Sequence, residues 1–258
     1  MEQVWIFGDS FSTDFYGTFE GKIFRDNTWP YMLKKNYNVY NPSLCGAGPL
    51  TMINLFLYQG KKAVPFYDWE NDIHFLIKNE YETDTKNTTV LFFMSNINRV
   101  HFDFLQVIQQ EVVYNNIENT EYKKYKNNMD FLYNHYFTDK WCQDNLCFIL
   151  FTLFYLSEIF KKILIFPIFK QEYEMQNSDF LKFRQIPKNC HIVDRSLFLM
   201  TENHKGKLRK YNSEGHIMDN NPNHILQEKH IHIYNFLNKY IIDSTLDYDE
   251  LDKIIIKT

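Results

Sequence analysis

The sequence predicts an α/β fold: a three-layer α/β/α sandwich with a mainly parallel sheet, helices on both faces and helical insertions. Three observations lead there. Short, continuous apolar runs recur at Val4–Phe7, Thr89–Met94 and Ile163–Phe166, as expected for strands buried on both faces. Segments of helical character separate them. Each run stops at a breaker: Gly8 after the first, Ser95-Asn96 after the second and Pro167 after the third.

Taken in order, Val4–Phe7 reads as a buried strand ending in a turn. Trp29–Lys35 reads as a helix with Pro30 in its first turn, where a missing N–H does no harm. Asn38–Tyr40 reads as a second strand. It runs into the turn-rich stretch NPSLCGAGPLT and then the apolar segment Met52–Tyr58. Thr89–Met94 is the clearest strand, being a continuous run with β-branched and aromatic residues. Residues 101–145 are polar and rich in Asn, Tyr and Lys, and predict an insertion. Asn145–Lys161 reads as a helix with Asp144 or Asn145 as its N-cap. Ile163–Phe166 is a strand, residues 168–190 a second polar insertion, and His191–Val193 the last strand. The chain from His224 to about Asp243 reads as helical, and residues 243–258 as an acidic C-terminal tail or surface helix. No internal repeat or Pro/Ser-rich linker divides residues 1–242, which predicts one domain with insertions.

Composition excludes several functions. A net charge of −4 lacks the basic footprint of a phosphate-tracking protein, so no nucleic-acid partner is expected. The longest apolar stretch, Leu146–Leu156, is far shorter than the ~20 residues of a bilayer span. The N-terminus MEQVWIFGDS has no basic segment followed by an apolar one, which predicts a cytoplasmic location. Cys45, Cys142, Cys147 and Cys190 form no CxxC pair, and reduced thiols are expected rather than a Cys142–Cys147 bridge. His224, Glu228 and His230 offer a zinc set, but without HExxH spacing no metal is expected. Gly46-Ala47-Gly48 lacks the rest of a dinucleotide fingerprint and has no Walker lysine, so no nucleotide cofactor is expected. Aromatic residues make up 18% of the chain, which fits dense packing or an AT-rich coding sequence such as a phage or viral one.

Chemistry collects at the carboxyl ends of parallel strands. Gly8-Asp9-Ser10, Ser43–Gly48 and Ser95-Asn96 all follow predicted strands, and Asp219–His230 follows the last. A serine just past a strand can act as a nucleophile, and a histidine brought from elsewhere can activate it. Backbone N–H groups and an Asn amide can hold an oxyanion.

Together these runs resemble the SGNH (GDSL-type) hydrolases. FGDSFS, residues 7–12, is similar to the family's first block and places its serine on Ser10. Asn41-Pro42-Ser43-Leu44-Cys45-Gly46 is similar to the second and places its glycine on Gly46. TVLFFMSNINR is similar to the third and places its Asn on Asn96, with Ile97 where Asp is usual and Asn98 as an alternative donor. DNNPNHILQEKH is similar to the last block, with its histidine on His224 and a trailing one on His230. Asn221 stands where the family has Asp, and Asp219 is the nearest carboxylate.

The resemblance implies a flavodoxin-like SGNH hydrolase fold and a serine hydrolase of carboxylic esters, most simply an O-acyl or O-acetyl ester. The partner would be a small-molecule or glycan ester. Ser10 would attack the carbonyl and His224 would take its proton. Asp219, the Asn221 amide or a backbone carbonyl would orient the imidazole. The N–H groups of Ser10 and Gly46 and the amide of Asn96 would form the oxyanion hole, and no cofactor is implied. Gly suits position 46 because a Cβ would crowd the acyl group. Asp9 reads as structural, capping a helix that starts at Ser10. The same fold could serve an acyltransferase or a non-catalytic glycan-binding or interaction module. Tyr114, Tyr122, Tyr125, Tyr133, Tyr136 and Trp141 offer either a sugar-stacking platform or packing onto the sheet, the latter being the expectation.

Overall fold

Strand side chains point alternately to opposite faces, and this chain uses both faces for its core. A computed structural model describes residues 1–9, 11–12, 18–19, 22–23, 28–43, 48–57, 64–68, 73–77, 84–95, 97, 100–103, 106–108, 139–168, 185–197, 210–211, 217–218, 225 and 227–254. Five strands form one sheet: β1 (Gln3–Phe7), β2 (Asn38–Tyr40), β3 (Thr88–Met94), β4 (Lys162–Pro167) and β5 (Cys190–Ile192). Their spatial order is β2-β1-β3-β4-β5 and every pairing is parallel. In register, Phe7 lies beside Phe92, and Met94 beside Pro167.

Helices cover both faces. Trp5 and Phe7 of β1, Val90, Phe92 and Met94 of β3, and Ile163 and Ile165 of β4 face α2 (Pro49–Leu57) and α3 (Asp139–Ser157). Val4 and Ile6, Leu91 and Phe93, and Leu164 and Phe166 face the other side. There they meet α1 (Trp29–Lys34), α4 (His230–Asp243) and α5 (Tyr248–Asp252). This gives the layered α/β arrangement expected from the runs. Antiparallel two-strand pairs join Thr18–Phe19 to Lys22–Ile23, Val64–Asp68 to Ile73–Ile77, Val100–Asp103 to Gln106–Ile108, and Lys210–Tyr211 to Ile217–Met218.

Much of the aromatic content goes into packing. On one face Phe7 stacks on Phe56 at 4.7 Å, and Trp5 meets Tyr40, Phe56 and Phe160 edge-on or tilted. On the other, Phe93 stacks on Phe166 at 5.4 Å and Trp29 lies tilted on Phe93 at 4.9 Å. Such pairs add ~0.5–1.5 kcal/mol each beyond the area they bury. Trp141 is likewise packed against the first cluster.

Several boundaries differ from the sequence reading. Helix α3 begins at Asp139, so Asp144 and Asn145 lie inside it rather than at its cap. Buried Cys142 and Leu146 extend the inward stripe of Ile149, Leu150 and Leu153 toward the N-terminus. Lys140 pairs with Asp144 at 2.6 Å, and Asn145 donates to the Trp141 carbonyl, both one turn back. Pro167 is the last residue of β4 rather than the stop after it: it pairs in register with Met94, where a strand end tolerates the missing donor. Helix α4 starts at His230, after a 3₁₀ turn at Gln227–Lys229, so His224 is not part of it. Among the described residues, Cys142, Cys147 and Cys190 form no disulfide with one another.

The acidic C-terminal segment is anchored. Leu251 and Ile254 are buried in the α1/α4 cluster, and Tyr248 packs on Phe236. Arg195 lies over the Tyr248 ring and pairs with Asp252. Lys239 hydrogen-bonds Asp247 at 2.8 Å and holds that carboxyl below its ordinary value. The Thr245 N–H does the same for Asp243. Burial works against the charge of Glu250, but hydrogen bonds from Lys253, His232 and Asn235 outweigh it and hold Glu250 low. Carboxyls with depressed folded values stabilise above their unfolded values, and that contribution is lost as pH falls through the folded ones. Acid below pH ~4 is therefore expected to loosen α5 from α4. Amide exchange at Leu251 and Ile254 between pH 6 and 3 measures this, and unchanged protection at pH 3 would contradict it.

Candidate active site

Because the sheet is wholly parallel, all five strands end at one edge. The chain order 2-1-3-4-5 puts the switch in connection direction between β1 and β3, where open α/β sheets place their crevice. The loops after β1 and β3 emerge side by side there, and the loop after β2 flanks them.

The loop after β1 is a tight turn. Gly8 has no room for a side chain: a Cβ would lie 2.2 Å from Ser12 Oγ and 2.7 Å from Phe93 Cβ. Glycine is required by the close approach of the β1 loop to β3. Asp9 is fully buried, and its Oδ1 accepts the Phe11 N–H at 3.1 Å. The Asp9 carbonyl accepts both the Ser12 N–H at 2.9 Å and the Ser12 hydroxyl at 3.0 Å. Asp9 thus has a structural role, within a turn through Phe11 and Ser12 rather than as the cap of a helix. These bonds close on either side of position 10.

Asn41, the first residue after β2, ties the second loop to the first. Its Nδ2 donates to the Ser12 carbonyl at 2.8 Å, and its Oδ1 accepts the Ser43 N–H at 3.1 Å. Asn41→Ala removes both bonds and is expected to cost about 2 kcal/mol, or roughly 4–8 °C in Tm for a domain this size. A thermal melt measures it, and an unchanged Tm would show that the two loops do not depend on this bridge. Past β3, Ser95 and Ile97 are both buried, and Ile97 joins the core on the α2/α3 side.

Ile225 is buried among the residues on the α1/α4 face, and His230 opens α4. His230 Nδ1 accepts the backbone N–H of Trp29 at 3.3 Å, and Trp29 Nε1 donates to the Phe11 carbonyl at 3.1 Å. The loop after β1, the start of α1 and the start of α4 are thereby joined.

Ser10, Gly46, Asn96, Asp219 and His224 lie outside the described residues, as do Asn98, Asn221 and Tyr114, Tyr122, Tyr125, Tyr133 and Tyr136. Both neighbours are described for Ser10 (Asp9 and Phe11) and Asn96 (Ser95 and Ile97), one neighbour for His224 (Ile225) and Asp219 (Met218), and neither for Gly46. Asp219 follows the short strand Ile217–Met218. Of the residues that organise the edge, Asn41 and His230 stand inside the motif-like runs and Trp29 outside them, and nothing in the sequence marks the bonds that they make. Among the described residues no group of His, Cys, Asp and Glu is arranged to hold a metal ion, and no helix is long and apolar enough to cross a membrane. Cys190 is no rival nucleophile, since burial pushes its thiol up to about 12. No family model, curated protein or solved structure matches this chain.

Proposed function

We propose that the protein is a serine hydrolase of carboxylic esters, related to the SGNH type, acting through an acyl-serine intermediate. One observation carries the reading. The turn that bears Ser10 is hydrogen-bonded through Asn41 to the loop leading to Gly46, and through Trp29 to the helix start that follows His224. Described residues from three of the four sequence runs, Phe11 and Ser12, Asn41, and His230, are thus joined directly or through Trp29, and the fourth run leaves from β3, the strand paired with β1. The strand order 2-1-3-4-5 supports the same reading, being that of flavodoxin-like folds.

In this reading His224 accepts the Ser10 proton as Oγ attacks the ester carbonyl. The oxyanion is held by the N–H groups of Ser10 and Gly46 and by the Asn96 amide, each such donor being worth about 10²–10³ in rate. His224 then protonates the leaving alcohol, and water, deprotonated by the same imidazole, releases the acid and restores Ser10. Asp219 fixes the tautomer of His224 and stabilises the imidazolium without taking its proton. The cycle uses protein groups alone, on a small-molecule or glycan O-acyl ester. Assay of purified protein on a panel of short-chain aryl esters, acetylated sugars and thioesters tests it. Turnover that depends on Ser10 supports the reading, and equal rates with and without the Ser10 hydroxyl across the panel defeat it.

A further inference from the structure

We propose that His230 is a positioning residue that locks the Ser10 turn to the segment carrying His224, acting through Trp29. The catalytic consequence rests on the hydrolase reading; the lock itself rests on geometry alone.

A helix start leaves backbone N–H groups without intrahelical partners, and the N-cap side chain normally serves one of them. At α1 it does not: Thr28 makes no side-chain cap bond, and Pro30 has no N–H to satisfy. The acceptor for the Trp29 N–H comes instead from His230, 201 residues later in the chain. His230 is fully buried, so the bond is shielded from water. Because Nδ1 accepts, the neutral ring carries its proton on Nε2.

Trp29 passes the constraint on. Its indole is fully buried and held against Phe93 of β3, and its Nε1–H fixes the carbonyl of Phe11, the residue after Ser10. A shift of the α4 start would move the Trp29 backbone and release or drag the Phe11 carbonyl. One indole thus sets the height of the Ser10 turn relative to the chain leaving His224. Proton transfer between a serine and a histidine depends steeply on that spacing, since a 1 Å misplacement can cost roughly 10² in rate.

The test compares His230→Leu with His230→Asn, whose Oδ1 falls where Nδ1 stood. Two readouts are used: amide and indole hydrogen exchange at Phe11, Ser12 and Trp29, and kcat and KM on an aryl ester. With Leu, exchange at these sites is expected to rise at least about 10-fold beyond any change in global stability. The same variant should lose roughly 10–100-fold in kcat with KM little changed. Asn is expected to recover most of both. Exchange unchanged by Leu, or Asn behaving no better than Leu, overturns the proposal. A kcat loss that only follows the unfolded fraction overturns the positioning role. If wild type turns over no ester, the hydrolase reading fails, and the exchange readout still decides whether the lock exists. Should the Leu variant fail to fold, Trp29→Phe serves instead. It keeps the ring against Phe93 and the bond to His230 but frees the Phe11 carbonyl. Raised exchange at Phe11 and Ser12 supports the lock, and none refutes it.

Discussion

Replacing Ser10 with alanine is expected to lower ester turnover by roughly 10⁴–10⁶-fold while leaving the melting temperature within about 2 °C of wild type. The first number follows from the proposed role. An acyl-enzyme cannot form without the hydroxyl, and what remains is the rate that binding and the oxyanion donors supply to water. The second follows from the surroundings. The turn is held by bonds of the neighbouring residues: Asp9 Oδ1 to the Phe11 N–H, the Asp9 carbonyl to Ser12, the Phe11 carbonyl to Trp29, and the Ser12 carbonyl to Asn41. None of these uses the Ser10 side chain. Activity and stability should therefore separate cleanly. An alanine variant that both melts early and loses activity would mean that Ser10 is part of the scaffold.

Gly8→Ala should do the opposite and damage both. The new methyl would stand 2.7 Å from Phe93 Cβ, an atom fixed by the backbone of the central strand, and 2.2 Å from the Ser12 hydroxyl, itself held by the Asp9 carbonyl. Neither neighbour can yield cheaply, because Phe93 is fully buried between Trp29 and Phe166. Overpacking of this kind costs about 3 kcal/mol, roughly 6–12 °C in Tm for a domain this size. Since the strain is relieved by moving the turn two residues from its clash, kcat should also fall, by about 100-fold. Adding Ser12→Gly removes only one of the two clashes and should recover part of the stability. A single Gly8→Ala variant with wild-type melting and turnover would contradict the tight approach of the β1 loop to β3.

How legible was this molecule in its sequence? Strands buried on both faces leave continuous apolar runs, so Val4–Phe7 and Thr89–Met94 come within one residue of β1 and β3. Asn38–Tyr40 coincides with β2, because a turn signal follows at once. Helix ends were harder to see. The first turns of α3 carry Lys140, Gln143 and Asp144 on their outer side, and these polar residues hid the inward pair Cys142 and Leu146. The break between His224 and α4 was hidden for a different reason: the helix begins where His230 meets Trp29, a tertiary contact that local pattern does not contain.

The candidate site divides in the same way. Its motif residues are named through the resemblance of four short runs to a known family, and they lie outside the described residues. The residues that join the loops could not be named that way. Asn41 and His230 stand inside motif-like runs, but only the folded chain shows that one bridges two loops and the other caps a helix far away in sequence.

The central claim is that Ser10 is an activated nucleophile, and a serine-directed fluorophosphonate tests it most directly. Incubation of the intact protein, followed by proteolysis and mass mapping, is predicted to give one adduct, on Ser10, that disappears in the Ser10→Ala variant. An intact folded protein that takes up no phosphonate, or an adduct that persists on another residue when Ser10 is alanine, would contradict it.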